Sequence, residues 1–183
     1  KAYDGLADVY AKKGDAGKTI QVMQDAISQS PRNASRQTKL GKVLLEKGMV
    51  NEAKAAFESA VKTEPGNMVM RSEIAESFLA KDMDNEAATL FQSVSRADPK
   101  DVHVYNRLGI AYRKQGKFLE AIEEYKKALT VDPGDENVHY NLGRAYMEAK
   151  KVDEAIAQFN KALEIDPDFK EAREVLDKIR NLK

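Results

Sequence analysis

The amino-acid sequence predicts an all-α protein built from repeated pairs of helices, and two observations lead to this fold class. All five prolines lie 34 residues apart, at Pro31, Pro65, Pro99, Pro133 and Pro167. Between the prolines, large and small apolar residues recur in the same register at helical spacing. A fixed period of this length is typical of stacked supersecondary units that cannot bury their apolar faces alone.

The proline register divides the 183 residues into five windows and a terminal segment. The predicted windows are residues 1–33, 34–67, 68–101, 102–135 and 136–169, followed by a helix over residues 170–183, all within one domain spanning residues 1–183. In a numbering common to the windows, the proline occupies slot 32. A hydrophobic content of 42% is enough to form a core in a chain of this length.

The first helix of each window is predicted from a large apolar residue in slot 7 and a small one in slot 8. Slot 7 holds Leu6, Leu40, Ile74, Leu108 and Leu142. Slot 8 holds Ala7, Gly41, Ala75, Gly109 and Gly143, and slot 11 holds Tyr10, Leu44, Phe78, Tyr112 and Tyr146. Because slots 4, 7, 8 and 11 lie within an arc of about 100° on an α-helix, they form one packing face.

The second helix of each window has its own packing face. Slot 20 holds Thr19, Ala53, Ala87, Ala121 and Ala155. Slot 24 holds Met23, Phe57, Phe91, Tyr125 and Phe159, and slot 27 holds Ala26, Ala60, Val94, Ala128 and Ala162. The small residues let the two helix axes approach closely, and the large ones fill the layers between them. Proline ends this helix because it lacks an N–H and disfavours a helical conformation in the residue before it.

Short polar residues and glycines mark where helices begin and turn. Asn33, Asn67, Asp101 and Asp135 precede the following first helices, where their oxygens can cap free N–H groups. The stretch GDAGKT, residues 14–19, resembles half of a phosphate-binding loop, but Lys12 stands where that loop needs its first glycine. GDAGKT aligns with GMVNEA, DMDNEA, GKFLEA and KKVDEA, so it is predicted to be the turn within a helix pair.

The terminal segment is predicted to be one further helix, capped by Asp168 with Glu171 three residues later. Its apolar stripe consists of Val175, Leu176, Ile179 and Leu182. Such a helix would cover the stacking face of the last window. No equivalent helix precedes the first window, and we therefore expect the chain to be an arm of a larger, bacterial protein.

These columns resemble the tetratricopeptide repeat, whose pattern places Trp or Tyr, Leu-Gly, Tyr, Ala, Phe, Ala and Pro at the same slots. The resemblance covers essentially the whole chain as five tandem 34-residue repeats, and it is strongest over residues 105–133 and 139–167. It is weaker where slot 4 carries Gln37 and Arg71 and where Asp82 replaces the turn glycine, so we expect repeats two and three to be less rigid. The resemblance implies an α-solenoid, a right-handed superhelix of antiparallel helix pairs whose inner groove binds peptides.

Composition and charge argue against several other classes of protein. The 30 basic and 30 acidic residues balance, so no net field favours nucleic acid or an anionic membrane. Cysteine is absent, and no apolar run is long enough for a membrane span, which leads us to expect a cytoplasmic location. His103 and His139 stand in different windows without the pattern of a metal site. We therefore expect no cofactor, no metal and no enzymatic activity.

The candidate site follows from helix geometry together with the resemblance. Slots 2, 5, 6, 9, 12 and 13 lie opposite the packing face of the first helix and would line the groove. The candidate peptide-binding residues are His103, Asn106, Arg107, Ile110 and Arg113 in window four and Asn137, Tyr140, Asn141, Arg144 and Met147 in window five. Asparagine amides can hold a peptide backbone, and arginine forks suit carboxylates or phosphates. We therefore expect an acidic or phosphorylated extended segment as the partner.

The sequence predicts a noncatalytic protein-interaction scaffold. Two alternatives stay open at this point. One is a self-association module that uses the groove or the uncovered first helix, and the other is a substrate-docking arm of an enzyme or of a signalling regulator.

Overall fold

The computed structural model describes residues 2–181, and this range contains eleven α-helices and no strand, which confirms the predicted all-α class. Leu182, predicted to belong to the terminal apolar stripe, lies outside the described residues. The helices are α1 Ala2–Lys12, α2 Ala16–Gln29, α3 Ala34–Glu46, α4 Val50–Thr63, α5 Met68–Leu79, α6 Asp84–Ala97, α7 Val102–Lys114, α8 Phe118–Val131, α9 Glu136–Glu148, α10 Val152–Ile165 and α11 Lys170–Arg180.

The helices divide into two compact units, the first ending at Lys81 and the second beginning at Asp82. The single domain predicted over residues 1–183 stays a prediction. In the first unit, α1 packs on α2 and α3 packs on α4, while α2 and α5 both contact α3. Phe57 of α4 meets Phe78 of α5 edge to face, with ring centroids 5.1 Å apart and planes at 76°. Aromatic contact thus joins the fourth helix to the fifth.

The second unit consists of α6 to α11, and each of these helices contacts the next one along the chain. Its first helices α7 and α9 also contact each other. One core cluster joins α8 to α9 through Ala121, Tyr125, Val138 and Leu142, all at most 2% exposed. A second cluster joins α10 to α11 through Phe159, Leu176 and Ile179. Helix α11 therefore buries its apolar stripe on the last helix pair.

The predicted packing columns are buried in nearly every window. Slots 20, 24 and 27 are buried in all five windows, and slot 7 is buried at Leu40, Ile74, Leu108 and Leu142. Leu6 differs, with 44% of its surface exposed beside the exposed Tyr3 and Val9. Leu142, in the same slot, lies in a core cluster with residues of the preceding helix α8, whereas no helix within residues 2–181 precedes α1.

The predicted helix caps are confirmed at four of five positions. Asn33, Asn67, Asp101 and Asp135 each accept a hydrogen bond from the backbone N–H three residues later, at 2.9 to 3.1 Å. The fifth cap, Asp168, was predicted wrongly, because α11 begins at Lys170 after the cap residue Phe169, which makes no side-chain cap bond. The Asp168 N–H instead donates to Oδ1 of Asp166 at 2.9 Å, within the turn that follows α10.

The GDAGKT stretch contains the end of the turn between α1 and α2, at Gly14 and Asp15, and the first four residues of α2. Gly14 has φ +73°, and Asp15 caps α2 by accepting the Lys18 N–H at 3.0 Å. Gly48 and Gly116 adopt the same left-handed conformation in the equivalent turns. Asp82 (φ 56°) and Lys150 (φ 61°) adopt it too, so these turns form without glycine, at a conformational cost of roughly 1 to 3 kcal/mol each.

The unusual residues in slot 4 have a structural role that the sequence did not indicate. Gln37 donates to the Pro31 carbonyl at 2.7 Å, and Arg71 donates to the Pro65 carbonyl at 3.0 Å. His139 bonds the Pro133 carbonyl at 3.0 Å, and Arg173 bonds the Pro167 carbonyl. These side chains satisfy carbonyl oxygens in the turn between one helix pair and the next. Gln37 and Arg71 therefore hold their turns in place.

Candidate functional site

The predicted site lies on α7 and α9, which are neighbouring first helices of the second unit. Each of the ten predicted residues is at least partly exposed, and His103 and Asn137 are fully on the surface. The packing face of the same helices carries the buried Val104, Leu108, Val138 and Leu142. The 3.6-residue period that buries slots 7 and 8 leaves the predicted residues on the opposite side.

Asn106 and Asn141 meet across the two helices. The Asn141 Nδ2 donates to Asn106 Oδ1 at 3.0 Å. Each amide keeps further hydrogen-bonding capacity, because Asn106 still has its NH₂ group and Asn141 still has its carbonyl oxygen. A donor and an acceptor side by side match the C=O and N–H of one residue in an extended segment, which point to the same side of the chain.

The arginines of the site differ in their surroundings. Arg113 NH1 donates to Glu148 Oε1 at 2.7 Å, and only 13% of the Arg113 side chain is exposed. Arg144 lies over the Tyr140 ring, with Cζ 5.8 Å from the ring centroid. Arg107 Nε approaches His103 Nε2 at 3.5 Å, one turn away on α7. Arginine in all three positions gives this face planar forks that suit oxyanions.

Three of the predicted contact residues also pack inside the unit. Tyr140 stands 5.7 Å from the Phe159 ring and 5.0 Å from the Phe169 ring, centroid to centroid, in tilted pairs. Ile110 packs against the α8–α9 core cluster, and Met147 packs against the α10–α11 cluster. These three side chains therefore offer less surface to a ligand than their slots suggest.

Sequence reasoning missed Tyr125 at this site. Tyr125 of α8 was assigned to the core, yet its hydroxyl is influenced by the charges of Arg113, Arg144 and Glu148. Burial raises the pKa of Tyr125 well above its usual range, and the nearby Arg113 lowers it in part. Glu148 occupies slot 13, one of the slots expected to line the groove. The signal for Tyr125 was present in slot 24, where it is the single tyrosine among phenylalanines and a methionine.

The first unit also has a cleft between its first helices that is lined in part by charged side chains. A space of ≈ 480 Å³ between α3 and α5 is lined by Lys42, Leu45, Glu73 and Glu76 among others. Lys42 Nζ and Glu73 Oε2 form an ion pair at 3.0 Å across it. This cleft carries both signs of charge, whereas the candidate site is dominated by arginine.

His139 has a structural role. It is 8% exposed, with Nδ1 2.8 Å from Gln158 Oε1 and Nε2 3.0 Å from the Pro133 carbonyl oxygen. Among residues 2–181, no group of histidine and carboxylate side chains is arranged to hold a metal ion. No helix in the described part of the chain is long and apolar enough to cross a membrane.

Two family models match the chain. The model of the cytochrome c-type biogenesis protein H TPR domain matches residues 15–139, about two thirds of the sequence. A tetratricopeptide repeat model matches residues 112–179. No curated protein matches the chain significantly.

Solved structures share the fold over most of their length. A MamA crystal structure is 25% identical, with a TM-score of 0.74 over 91% of both chains. MamA from Desulfovibrio magneticus RS-1, from residue 41 to its end, is 20% identical, with a TM-score of 0.73 over 92% of this chain and 95% of that one. YrrB, described as a TPR protein with an unusual peptide-binding site, is 20% identical, with a TM-score of 0.74 over 96% of this chain and 90% of that one.

Proposed function

Because the chain belongs to the tetratricopeptide repeat family, we propose that it is a noncatalytic protein-interaction scaffold that binds an extended segment of a partner protein along α7 and α9. A general protein-binding role fits the family and the fold it shares with YrrB, a TPR protein with a peptide-binding site. The class of partner and the position of the site are part of this proposal. We also propose that the protein is located in the cytoplasm.

The observation that carries the proposal is the amide pair between the two helices. Asn141 Nδ2 bonds Asn106 Oδ1 at 3.0 Å, which orients both side chains on a partly exposed face. The donor of Asn106 and the acceptor of Asn141 can hold the backbone of a bound segment whatever its side chains are. A pre-oriented pair loses little side-chain entropy when it binds.

The charge around the amide pair indicates the chemistry of the segment. Arg107 follows Asn106 directly on α7, and Arg144 lies three residues after Asn141 on α9. Both are partly exposed and can reach an acidic or phosphorylated side chain beside the bound backbone. We therefore propose an acidic or phosphorylated extended segment as the partner.

Self-association is a second candidate, favoured by one observation on α1. Tyr3, Leu6 and Val9 are exposed by 40%, 44% and 47% and stand three residues apart on one helix. Exposed apolar residues on one helix face are typical of interaction sites. Light scattering over a concentration series tests this candidate, because a Leu6→Lys variant should lower the mass of any oligomer that this face forms.

A charge-reversal variant tests the main proposal. Binders are first selected from a random peptide library displayed on phage, and we expect them to be enriched in Asp and Glu. The double variant Arg107→Glu, Arg144→Glu should then bind a selected peptide more weakly by about 1 kcal/mol or more, with a flatter dependence on salt.

The matched control reverses two arginines away from the site, Arg96 on α6 and Arg180 on α11, which are both exposed. Arg96→Glu, Arg180→Glu changes the net charge equally and should leave the affinity within about twofold. Equal loss in both double variants would mean that only net charge matters. Unchanged affinity in the Arg107, Arg144 variant across the salt series would place the site elsewhere.

A further inference from the structure

The second unit has a further groove outside the candidate site, where α8 faces the end of α9 and the start of α10. Its volume is ≈ 540 Å³, within the range of about 300 to 1,000 Å³ that is typical of binding sites. Three large apolar or aromatic residues and five charged ones line this α8–α10 groove, namely Leu119, Glu120, Ile122, Glu123, Lys126, Tyr146, Lys151 and Glu154. None of them is among the ten predicted peptide-binding residues.

The floor of the α8–α10 groove belongs to the core, and its rim carries an exposed leucine. Ile122 is 3% exposed and lies in the α8–α9 core cluster, against which Tyr146 packs. Leu119 stands one turn before Ile122 on α8 and is 61% exposed, so apolar surface continues from the floor to the rim. In the slot of Leu119, slot 18, the other windows carry Gly17, Asn51, Asn85 and Asp153. The repeat therefore does not need a leucine at this position.

The charges that line the α8–α10 groove are negative on balance. Three carboxylates stand against two ammonium groups. Glu123 pairs with Lys126 at 3.5 Å along α8. Glu120 and Glu154 are exposed, and neither forms an ion pair with another residue of the range 2–181. An occupant that presents apolar side chains with a positive charge beside them would match this groove.

Helix α1 carries an exposed face of this composition. Tyr3, Leu6 and Val9 are exposed, and Lys13 continues their row because its N–H bonds the Val9 carbonyl at 3.1 Å, as in a helix. Lys13 is exposed as well. At 100° per residue these four side chains, which we call the α1 row, fall within an arc of about 120°.

The acidic residues of α1 lie away from the α1 row. Asp4 accepts from Arg36 Nε of α3 at 2.7 Å, so its charge is balanced within the first unit. Asp8 lies about 160° round the helix from Leu6. The α1 row thus offers apolar side chains and one positive charge, which is complementary to the α8–α10 groove.

We propose that the α1 row of one molecule docks in the α8–α10 groove of a second copy of the chain. The inference rests on the self-association candidate and specifies its two surfaces, and it is independent of peptide binding along α7 and α9. Because the row and the groove are different surfaces, the contact is head-to-tail. Each added molecule brings a further row and a further groove, so assembly continues beyond a dimer unless a ring closes.

Two variants, each defective in one surface, test this pairing when they are mixed. Leu6→Lys places a charge in the α1 row, and Leu119→Asn gives the groove the residue found at the equivalent Asn51 and Asn85. Each variant alone should associate at least about tenfold more weakly than the natural chain, because one apolar contact is lost. An equimolar mixture should form a 1:1 heterodimer that does not grow further, since it contains one intact row and one intact groove. Analytical ultracentrifugation over a concentration series measures these masses, and circular dichroism checks that both variants stay helical.

A charge variant and two matched controls accompany the mixing experiment. Lys13→Glu, at an exposed position, should weaken association by about threefold at low salt and by less at about 1 M salt. Lys47→Glu is its control, because Lys47 is exposed in the equivalent slot of window two. Val69→Asn, at a side chain 72% exposed on α5, is the control for Leu119→Asn. Both controls should assemble as the natural chain does.

The possible results separate this pairing from other contacts. A heterodimer that forms only on mixing supports the head-to-tail contact. If Leu119→Asn assembles as the natural chain does, or if the mixture stays monomeric, the pairing is overturned, and the first result is what a contact between two α1 rows predicts. If the natural chain is monomeric up to about 1 mM, the pairing and the self-association candidate are both overturned. The Arg107, Arg144 charge reversal decides separately on peptide binding.

Discussion

Gly109 determines how closely α7 and α8 approach each other. A Cβ placed on Gly109 would stand 2.5 Å from Tyr125 Cε1 and 2.7 Å from its Cζ. Gly41 and Gly143 meet Phe57 and Phe159 in the same way. The sequence predicted this contact, because slot 8 is small wherever slot 24 is large. It did not predict that the Tyr125 hydroxyl is buried, because the spacing of apolar residues carries no information about a single polar atom.

The glycine contact predicts a stability difference between two helical glycines. Gly109→Ala should destabilise the protein by about 1 to 3 kcal/mol, because the added methyl forces the buried Tyr125 ring to move. The control is Gly5→Ala in α1, where nothing lies within 4 Å of the added Cβ. Gly5→Ala should stabilise by about 0.5 to 1 kcal/mol through helix propensity alone. Urea unfolding of both variants checks this, and equal effects would contradict the close packing at Gly109.

The Asp4–Arg36 pair gives the first unit a pH dependence. Arg36 Nε and NH2 donate to the two Asp4 oxygens at 2.7 and 2.8 Å, and this pairing holds the pKa of Asp4 well below its usual range. A lowered carboxylate pKa adds stability above the ordinary pKa, and this stability is lost as the pH falls toward the lowered value. Asp4→Asn should therefore reduce the melting temperature more at about pH 7 than at about pH 3.

The control for this pH test is Asp8→Asn, because Asp8 is an exposed carboxylate one turn further along α1. It should shift the melting temperature little at either pH. The account of the ion pair would be wrong if the difference between Asp4→Asn and the natural chain stayed constant or grew on acidification.

At the scale of the helix, the 34-residue register predicted where helices begin more accurately than a local sequence motif did. The caps Asn33, Asn67, Asp101 and Asp135 all occupy slot 34 and all bond the N–H three residues on. The prediction at Asp168 departed from that register in favour of a capping-box motif and was wrong. Phe169 occupies slot 34 there, and Asp166 uses its carboxylate to bond the Asp168 N–H. The register therefore carried more information than the local motif.

The loss of stability on replacing a cap residue should depend on whether its side chain bonds a backbone N–H of the helix. Asp135→Ala should destabilise the protein by about 1 kcal/mol, because it removes the 2.9 Å bond to the Val138 N–H at the start of α9. Lys151→Ala is the control, since Lys151 precedes α10 without a side-chain cap bond. It should change the stability by less than about 0.5 kcal/mol. Thermal unfolding compares the two, and similar losses would show that the cap bond contributes little.

At the scale of the whole molecule, the 34-residue spacing of the prolines predicted the number and the order of the helices. The first helices α3, α5, α7 and α9 begin at Ala34, Met68, Val102 and Glu136, 34 residues apart. The division of the chain into two compact units at Lys81 and Asp82 was not predicted. It depends on how densely residues of different windows contact each other, and the sequence of a single window does not contain this information. The slot 4 bonds to proline carbonyls were also missed, since glutamine, arginine and histidine share a hydrogen-bonding role without sharing hydrophobicity.

The candidate site was predictable only in its outline. Helix periodicity indicated which side of α7 and α9 carries polar residues, and this side is partly exposed as expected. The pairings across the helices, Asn106 with Asn141 and Arg113 with Glu148, depend on the distance and register between two helices. Those quantities follow from tertiary packing, so a one-dimensional pattern does not contain them.

The central claim is that a partner segment binds along α7 and α9, and NMR mapping tests it most directly. A peptide selected from the phage library is titrated into the isotope-labelled chain, and the side-chain NH₂ signals of asparagine are followed. We predict that the Asn106 and Asn141 signals shift together and saturate with the peptide concentration, while Asn51 and Asn160 on the exposed faces of α4 and α10 do not move. Saturable shifts confined to the α3–α5 cleft or to the second helices, with Asn106 and Asn141 unchanged, would contradict the account.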